Sequence, residues 1–231
     1  MSVWISIKMT NVITIDGPSG VGKGTISEYL SNQLKWNYLN SGALYRAIAW
    51  VARNELINLN DVSGLEKASK DIVFSLKNKK LKIEYKNEEI GSLIYDEEVA
   101  KIASKVSSKP KVRLSIVNIQ RSFKKQPGLV AEGRDMGSVI FPESQLKIFL
   151  TASIETRAQR RFKQLKDREF NVSLPALIED LDARDRRDKE RINSPLVIPK
   201  GAFVIETDDL TAVEVKNKVK EKVNKTYGTN I

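Results

Sequence analysis

The chain has 231 residues, 41% hydrophobic and 29% charged, a length that suits one α/β domain carrying an insertion better than two independent domains. It contains neither cysteine nor histidine, which excludes a disulfide framework, a thiolate metal site and an imidazole proton shuttle, and leaves chemistry run on phosphate, arginine, lysine and carboxylate. Thirty-nine Lys and Arg against 29 Asp and Glu give a formal charge of +10, which suits nucleic acid, an anionic membrane or anionic small molecules. Its distribution favours the last of these. Much of the arginine gathers in residues 157–168 and 184–191, while the lysines are scattered and no long basic run is interleaved with aromatics. No apolar stretch approaches the roughly 20 residues of a membrane span, residues 1–8 lack the features of a signal peptide, and a cytoplasmic location is expected. Those eight residues are read as peripheral, with Met9 an alternative start.

Residues 12–16, Val-Ile-Thr-Ile-Asp, read as a buried parallel strand. They run into Gly17-Pro-Ser-Gly-Val-Gly-Lys-Gly-Thr25. Gly17 and Gly22 have the separation of a phosphate-binding loop, whose backbone N–H groups turn toward the α- and β-phosphates of a nucleotide while Lys23 reaches the β/γ pair. Ile26, Leu30 and Leu34 recur at helical spacing, so the loop opens a helix N-terminus, where anions are favoured. Gly24 stands where Ser or Thr normally follows the lysine and Thr25 comes one position later, so magnesium is expected to be held largely by the nucleotide and water.

Residues 37–39 read as a second strand, followed by Asn40-Ser41-Gly42 and a helix over 43–53 whose first turns carry Tyr45 and Arg46. From Asp61 to Ser108 the character changes. Residues 72–76 and 81–85 predict a hairpin across Asn78-Lys79-Lys80, 90–95 a third strand, and Asp96 the start of a helix burying Val99, Ile102, Ala103 and Val106. This antiparallel piece fits a small β-rich insertion. Another helix follows Pro110 and carries Arg113. Residues 129–131 are a third parallel strand running into Glu132-Gly133-Arg134-Asp135, with charge just past its carboxyl end, where α/β sheets bind ligands. Residues 146–150 and 203–205 complete a five-stranded parallel sheet, and Thr211-x-x-Glu214 is a capping box for a last helix burying Val215, Val219 and Val223. Between those two strands lie two charged helices. The first begins at Ser153 and sets Arg157, Arg160 and Arg161 on one face, a cluster that invites an anion. The second begins near Pro175 and aligns Arg184, Asp188 and Arg191.

Together the phosphate loop, Asn40-Ser-Gly-Ala-Leu-Tyr-Arg46, Glu132-Gly-Arg-Asp-Met-Gly137 and Arg184-Asp-Arg-Arg-Asp-Lys-Glu-Arg191 make the chain resemble a bacterial-type cytidylate kinase, in the nucleoside monophosphate kinase group of P-loop NTPases, from about residue 11 to the last helix. The family wording often has Asp where Asn40 and Glu132 stand. The resemblance implies a single three-layer α/β/α domain. Its core covers about residues 11–60, 111–152 and 200–231, a monophosphate-binding insertion about 61–110, and an Arg-rich helical lid about 153–199.

It also implies transfer of the γ-phosphoryl group of ATP to CMP or dCMP. Gly17, Pro18, Ser19, Gly20, Val21, Gly22, Lys23, Gly24 and Thr25 would hold ATP. Ser41, Arg113 and Asp135 would read the cytosine edge, Ser104, Arg184 and Asp188 the sugar, and Arg46 and Arg134 the acceptor phosphate. Arg191 would bind substrate on either the base or the phosphate side. Lys23 and Arg134, with Arg157, Arg160 and Arg161 of the lid, would serve catalysis; Mg²⁺ would be held mainly through nucleotide and water, with no metal ligands from the protein. A monomer is expected, with no requirement for nucleic acid or membrane. The nearest alternatives are a kinase for UMP or AMP on the same scaffold, and a non-enzymatic P-loop nucleotide- or RNA-binding protein. A GTP-operated switch lacks support, because the Asn217-Lys-Val-Lys220 segment ends in lysine where a guanine-reading tetrad needs Asp.

Overall fold

The computed structural model describes residues 10–167 and 172–231. Residues 1–8, Met9 and Arg168 of the first arginine cluster lie outside the described residues.

Five parallel strands form the main sheet: β1 (Val12–Asp16), β2 (Asn37–Asn40), β6 (Leu129–Gly133), β7 (Leu146–Thr151) and β8 (Phe203–Glu206), in the order β2-β6-β1-β7-β8. Alternation along the strands feeds two cores. Val12, Leu39, Leu129 and Ala131 pack on one face with Leu44 and Ile48 of α2 (Ser41–Asn54) and Val112 and Ile116 of α5 (Pro110–Ser122). Ile13, Ile15, Val130 and Ile148 pack on the other with Ile26 and Leu30 of α1 (Lys23–Leu34) and Val215, Val219 and Val223 of α8 (Ala212–Tyr227). A sheet buried on both faces by helices is the three-layer α/β arrangement expected, and β1 and β6 at its centre are accordingly buried along their whole length.

The insertion starts with α3 (Val62–Asp71), capped by Asp61 and absent from the sequence reading because Ser63 and Gly64 weaken its pattern. β3 (Ile72–Lys77) and β4 (Lys80–Tyr85) pair antiparallel across Asn78 and Lys79, both at positive φ, the signature of a twisted two-residue hairpin turn. The third strand is not residues 90–95. It is the two-residue β5 (Glu88–Glu89), because Lys86 and Asn87 reverse the chain immediately; residues 93–95 form a 3₁₀ turn instead. Asp96 caps α4 (Glu97–Val106) through Val99 N at 2.7 Å. Leu65, Ile83, Ile94 and Val99 join the same hydrophobic core as α2 and the sheet, so the insertion is packed onto the scaffold.

Two more helices, α6 (Ile154–Lys166) and α7 (Leu174–Glu190), carry the arginines. Ser153 and Ser173 cap them, and Pro175 sits in the first turn of α7, where its missing N–H is harmless. Glu132 and Gly133 are the last residues of β6, not a loop beyond it, so only Arg134 and Asp135 project past the strand end.

Candidate functional site

Three glycines at positive φ, Gly17, Gly20 and Gly22, shape the phosphate loop. Gly17 has φ +148°, and a Cβ there would run into the carbonyl oxygen of Leu150. Gly22, at φ +92°, is the left-handed residue that opens α1. Lys23 donates from Nζ to Pro18 O at 2.6 Å, which folds its side chain back over the loop. Burial and the neighbouring guanidiniums of Arg134 and Arg184 pull its pKa well below the ordinary lysine value, against the opposing pull of Glu132 and Asp188. A polyanion beside Lys23 would reverse that imbalance.

A cavity of about 720 Å³ opens from this loop. Residues 19–25 line one end, and Arg46, Ser104, Arg134, Arg160, Arg161 and Arg184 line the rest with Tyr95, Glu132 and Arg187. Arg184 is pulled down to about 10 by burial and by Arg134, and its Nε makes no hydrogen bond among the described residues. Arg46 donates to the carbonyl oxygens of Ile94 and Asp96 and lies 5.6 Å from the Tyr95 ring centroid, tying α2 to the insertion.

Behind the cavity wall lies a second polar group. Arg113 and Asp135 form a buried ion pair, with the Arg113 guanidinium 5.3 Å from the Tyr45 ring centroid. Asp188 accepts from Arg134 Nε at 2.7 Å and lies 3.8 Å from Arg191 Nη1. Burial alone would push the Asp188 pKa up, but Arg134, Arg191 and Arg184 outweigh it and hold the carboxyl below its usual range. Arg191 shares its electrostatic surroundings with Asp188, Arg113, Asp135 and Tyr45, and its Nη2 makes no hydrogen bond among the described residues. Ser41 is buried next to Gly133, where a Cβ would stand 3.0 Å from Ser41 Oγ. Asn40 serves as the N-cap of α2 through Ala43 N at 3.2 Å, work that Asn and Asp perform equally well.

The three arginines of α6 do not form one uncompensated face. Arg157 is buried and fully engaged: it pairs with Asp185 of α7 at 2.7 Å, donates to Ser19 O of the phosphate loop at 3.1 Å, and contacts the carbonyl oxygens of Ala152 and Ser153. The i and i+3 positions differ because Arg157 turns under the loop, whereas Arg160 reaches Thr207 in the segment after β8. Arg161 bridges to Glu97 at the start of α4. Lys101 with Asp180 at 3.1 Å and Arg187 with Ser104 at 3.2 Å extend that seam, so α4 meets the lid helices along its 97, 101 and 104 positions.

The sequence reading missed the partners that hold these groups. Tyr38 donates to Glu132 Oε1 at 2.6 Å across 94 residues of chain, a relation with no local signal. The same carboxylate stands 3.6 Å from where a Cβ on Gly24 would be. Asp185 was read only as part of the 184–191 motif, although a second acidic residue within a run of arginines is itself a hint of internal pairing.

The sequence matches the cytidylate kinase family model over residues 13–225. It is 43% identical over 213 residues to a cytidylate kinase of Colwellia psychrerythraea, covering 91% of this chain and 94% of that protein. A cytidylate kinase of Methylococcus capsulatus is 46% identical over 206 residues, covering 88% and 92%. Among solved structures, an uncharacterized protein from Eubacterium ventriosum shares the fold with a TM-score of 0.52 at 9% identity, covering 94% of this chain and 99% of that one. With nearly the whole chain matched by the family model and relatives above 40% identity along most of its length, the chain belongs to the cytidylate kinase family.

Proposed function

We propose that the chain transfers the γ-phosphoryl group of ATP to CMP or dCMP, giving ADP and CDP or dCDP. The observation that carries this reading is a single cavity with backbone N–H donors and Lys23 at one end and Arg46, Arg134 and Arg184 along the rest, backed by the buried Arg113–Asp135 pair. Residues 17–25 take the triphosphate, with Arg160 and Arg161 drawn onto it from their present partners. Arg157 acts from below, fixing the loop rather than touching the transferring group.

The acceptor phosphate is received by Arg46 and Arg134, and the sugar by Ser104, Arg184 and Asp188. Ser41, Arg113 and Asp135 read the base. A carboxylate accepts from the exocyclic amine of cytosine, and arginine donates to its ring acceptors. Uracil places an acceptor where cytosine has the amine and would face Asp135 unfavourably. Arg191 contacts Asp188 and also feels Arg113 and Asp135, so it stands between the sugar and base groups.

No general base is needed, since the attacking phosphate oxygen is already ionised; positioning and neutralisation of spread charge do the work. Guanidinium forks suit it because they bind phosphoryl oxygens in pairs and stay charged. Magnesium would be held mainly by nucleotide oxygens and water, because Gly24 brings no hydroxyl to the position after Lys23. When bound, it neutralises charge on the phosphate chain. Every residue assigned to the site comes from this chain, so the reading needs no second copy to supply a group. Among the described residues no helix is long and apolar enough to cross a membrane.

A coupled ADP-release assay over CMP, dCMP, UMP, AMP and GMP tests the reading. Highest kcat/KM with CMP or dCMP is expected; faster turnover with AMP or UMP than with either cytidylate would overturn it.

A further inference from the structure

Asp16 ends β1 one residue before the phosphate loop, and it is fully buried. In the β1–β6 ladder it stands opposite Gly133. Its carboxylate then reaches further along the neighbouring chain: Oδ1 accepts from Met136 N at 2.9 Å and Oδ2 from Gly137 N at 2.7 Å. Arg134 and Asp135 are the two residues between Gly133 and these contacts, and they are the ones that hold Asp188 and Arg113. Gly137 permits the approach, since a Cβ there would lie 2.7 Å from Thr14 Oγ1 and 3.3 Å from Asp16 Oδ2.

We propose that Asp16 is a positioning residue that clamps the Arg134–Asp135 loop to the strand carrying the phosphate loop, so that one carboxylate sets the spacing between donor and acceptor sites. The inference rests on the reading of those two sites given above. Asp16 lines no part of the cavity, and it acts through the backbone of its neighbours. Burying a carboxylate is unfavourable unless it is well paired, and here it satisfies two backbone donors at once. An amide of the same shape offers one acceptor oxygen and sets its own N–H₂ against the other donor.

The charged groups facing Asp16 are Asp135 from the clamped loop and Lys23 from α1. Burial, with Asp135, pushes its pKa up to about 7 against the pull of the two N–H groups and Lys23. Protonation turns one acceptor oxygen into a donor and releases one of the two hydrogen bonds, so the clamp is firmest in alkali and weakens as pH falls through neutrality.

The test is Asp16→Asn, measured with CMP and ATP separately. The expected result is a fall in kcat of about tenfold or more and a several-fold rise in KM for CMP, as misplaced reacting groups lose rate steeply. Affinity for a non-hydrolysable ATP analogue should stay within about twofold of the wild type. Unchanged kcat and KM in a folded variant would overturn the proposal, as would a parallel loss of both nucleotide affinities, which marks a merely structural role. The wild-type chain supplies an independent measurement: the Met136 and Gly137 amides, both bonded to the Asp16 carboxylate, should be strongly protected from hydrogen exchange, and exchange at unprotected rates would overturn the clamp even if the variant fails to fold. Absence of wild-type turnover with CMP would instead fault the phosphotransfer reading.

Discussion

Arg134 and Asp188 lie 54 residues apart in the chain and meet through a 2.7 Å contact between Nε and Oδ2, both side chains largely buried. The contact joins the loop beyond β6 to α7, so the acceptor side of the cavity is coupled to a helix of the lid. Asp188 is also the anion shared by Arg134, Arg184 and Arg191. Asp188→Ala should therefore destabilise the nucleotide-free chain by about 3–5 kcal/mol, the usual loss when one member of a buried pair goes. CMP should restore part of that loss in thermal unfolding, and the ratio of CMP to dCMP affinity should change. A variant as stable as wild type, with both affinities intact, would contradict this.

The pH dependence of the same residue has a definite sign. Its carboxyl is held below the ordinary value in the folded chain, so its stabilisation is fully present above the unfolded pKa near 4 and is lost as pH falls through the lower folded value. Urea unfolding of the wild type should show this acid loss, and the loss should be smaller in Asp188→Ala.

Arg157 and Arg160 should part company on substitution, although one helical turn separates them. Arg157→Ala strands Asp185 in a buried setting and releases Ser19 O, so a loss of about 3–5 kcal/mol is expected. Arg160→Lys keeps the charge and loses the fork, so kcat should fall by about tenfold or more while nucleotide affinity changes less. Denaturant midpoints and initial rates for the two variants, taken side by side, check both halves.

Gly17→Ala places a methyl against the Leu150 carbonyl at a φ that side chains rarely adopt. A destabilisation of more than about 1 kcal/mol, with loss of ATP binding beyond it, is the expected outcome in calorimetry. Near-native ATP affinity would mean that the loop does not need this close approach.

Glu97→Gln removes the partner of Arg161 across the cleft. Both side chains are partly exposed, so stability should change by no more than about 1 kcal/mol. With that contact removed, ATP affinity should hold or rise, and a marked weakening would show that Glu97 supports the bound state instead.

Much of this architecture was legible because its signals are local. The apolar strands, the glycine spacing of residues 17–22, Asp96 as a cap and the Thr211–Glu214 capping box all depend on neighbours a few residues away. β5 and the 3₁₀ turn were misread because Ile90, Leu93 and Ile94 look strand-like until the positive φ values of Lys86 and Asn87 reverse the chain early. The pairings that define the site were not legible. Tyr38 with Glu132, Arg157 with Asp185 and Asp16 with the 136–137 backbone join residues far apart in sequence, and periodicity carries no information about such contacts.

The most direct measurement is a crystal structure with CMP and a non-hydrolysable ATP analogue bound together. It should show the triphosphate on residues 17–25, the CMP phosphate on Arg46 and Arg134, the cytosine on Arg113 and Asp135, and Arg160 and Arg161 turned from Thr207 and Glu97 onto the phosphates. Nucleotides bound with those guanidiniums still on their present partners, or CMP seated away from Arg46, Arg134, Arg113 and Asp135, would contradict the account.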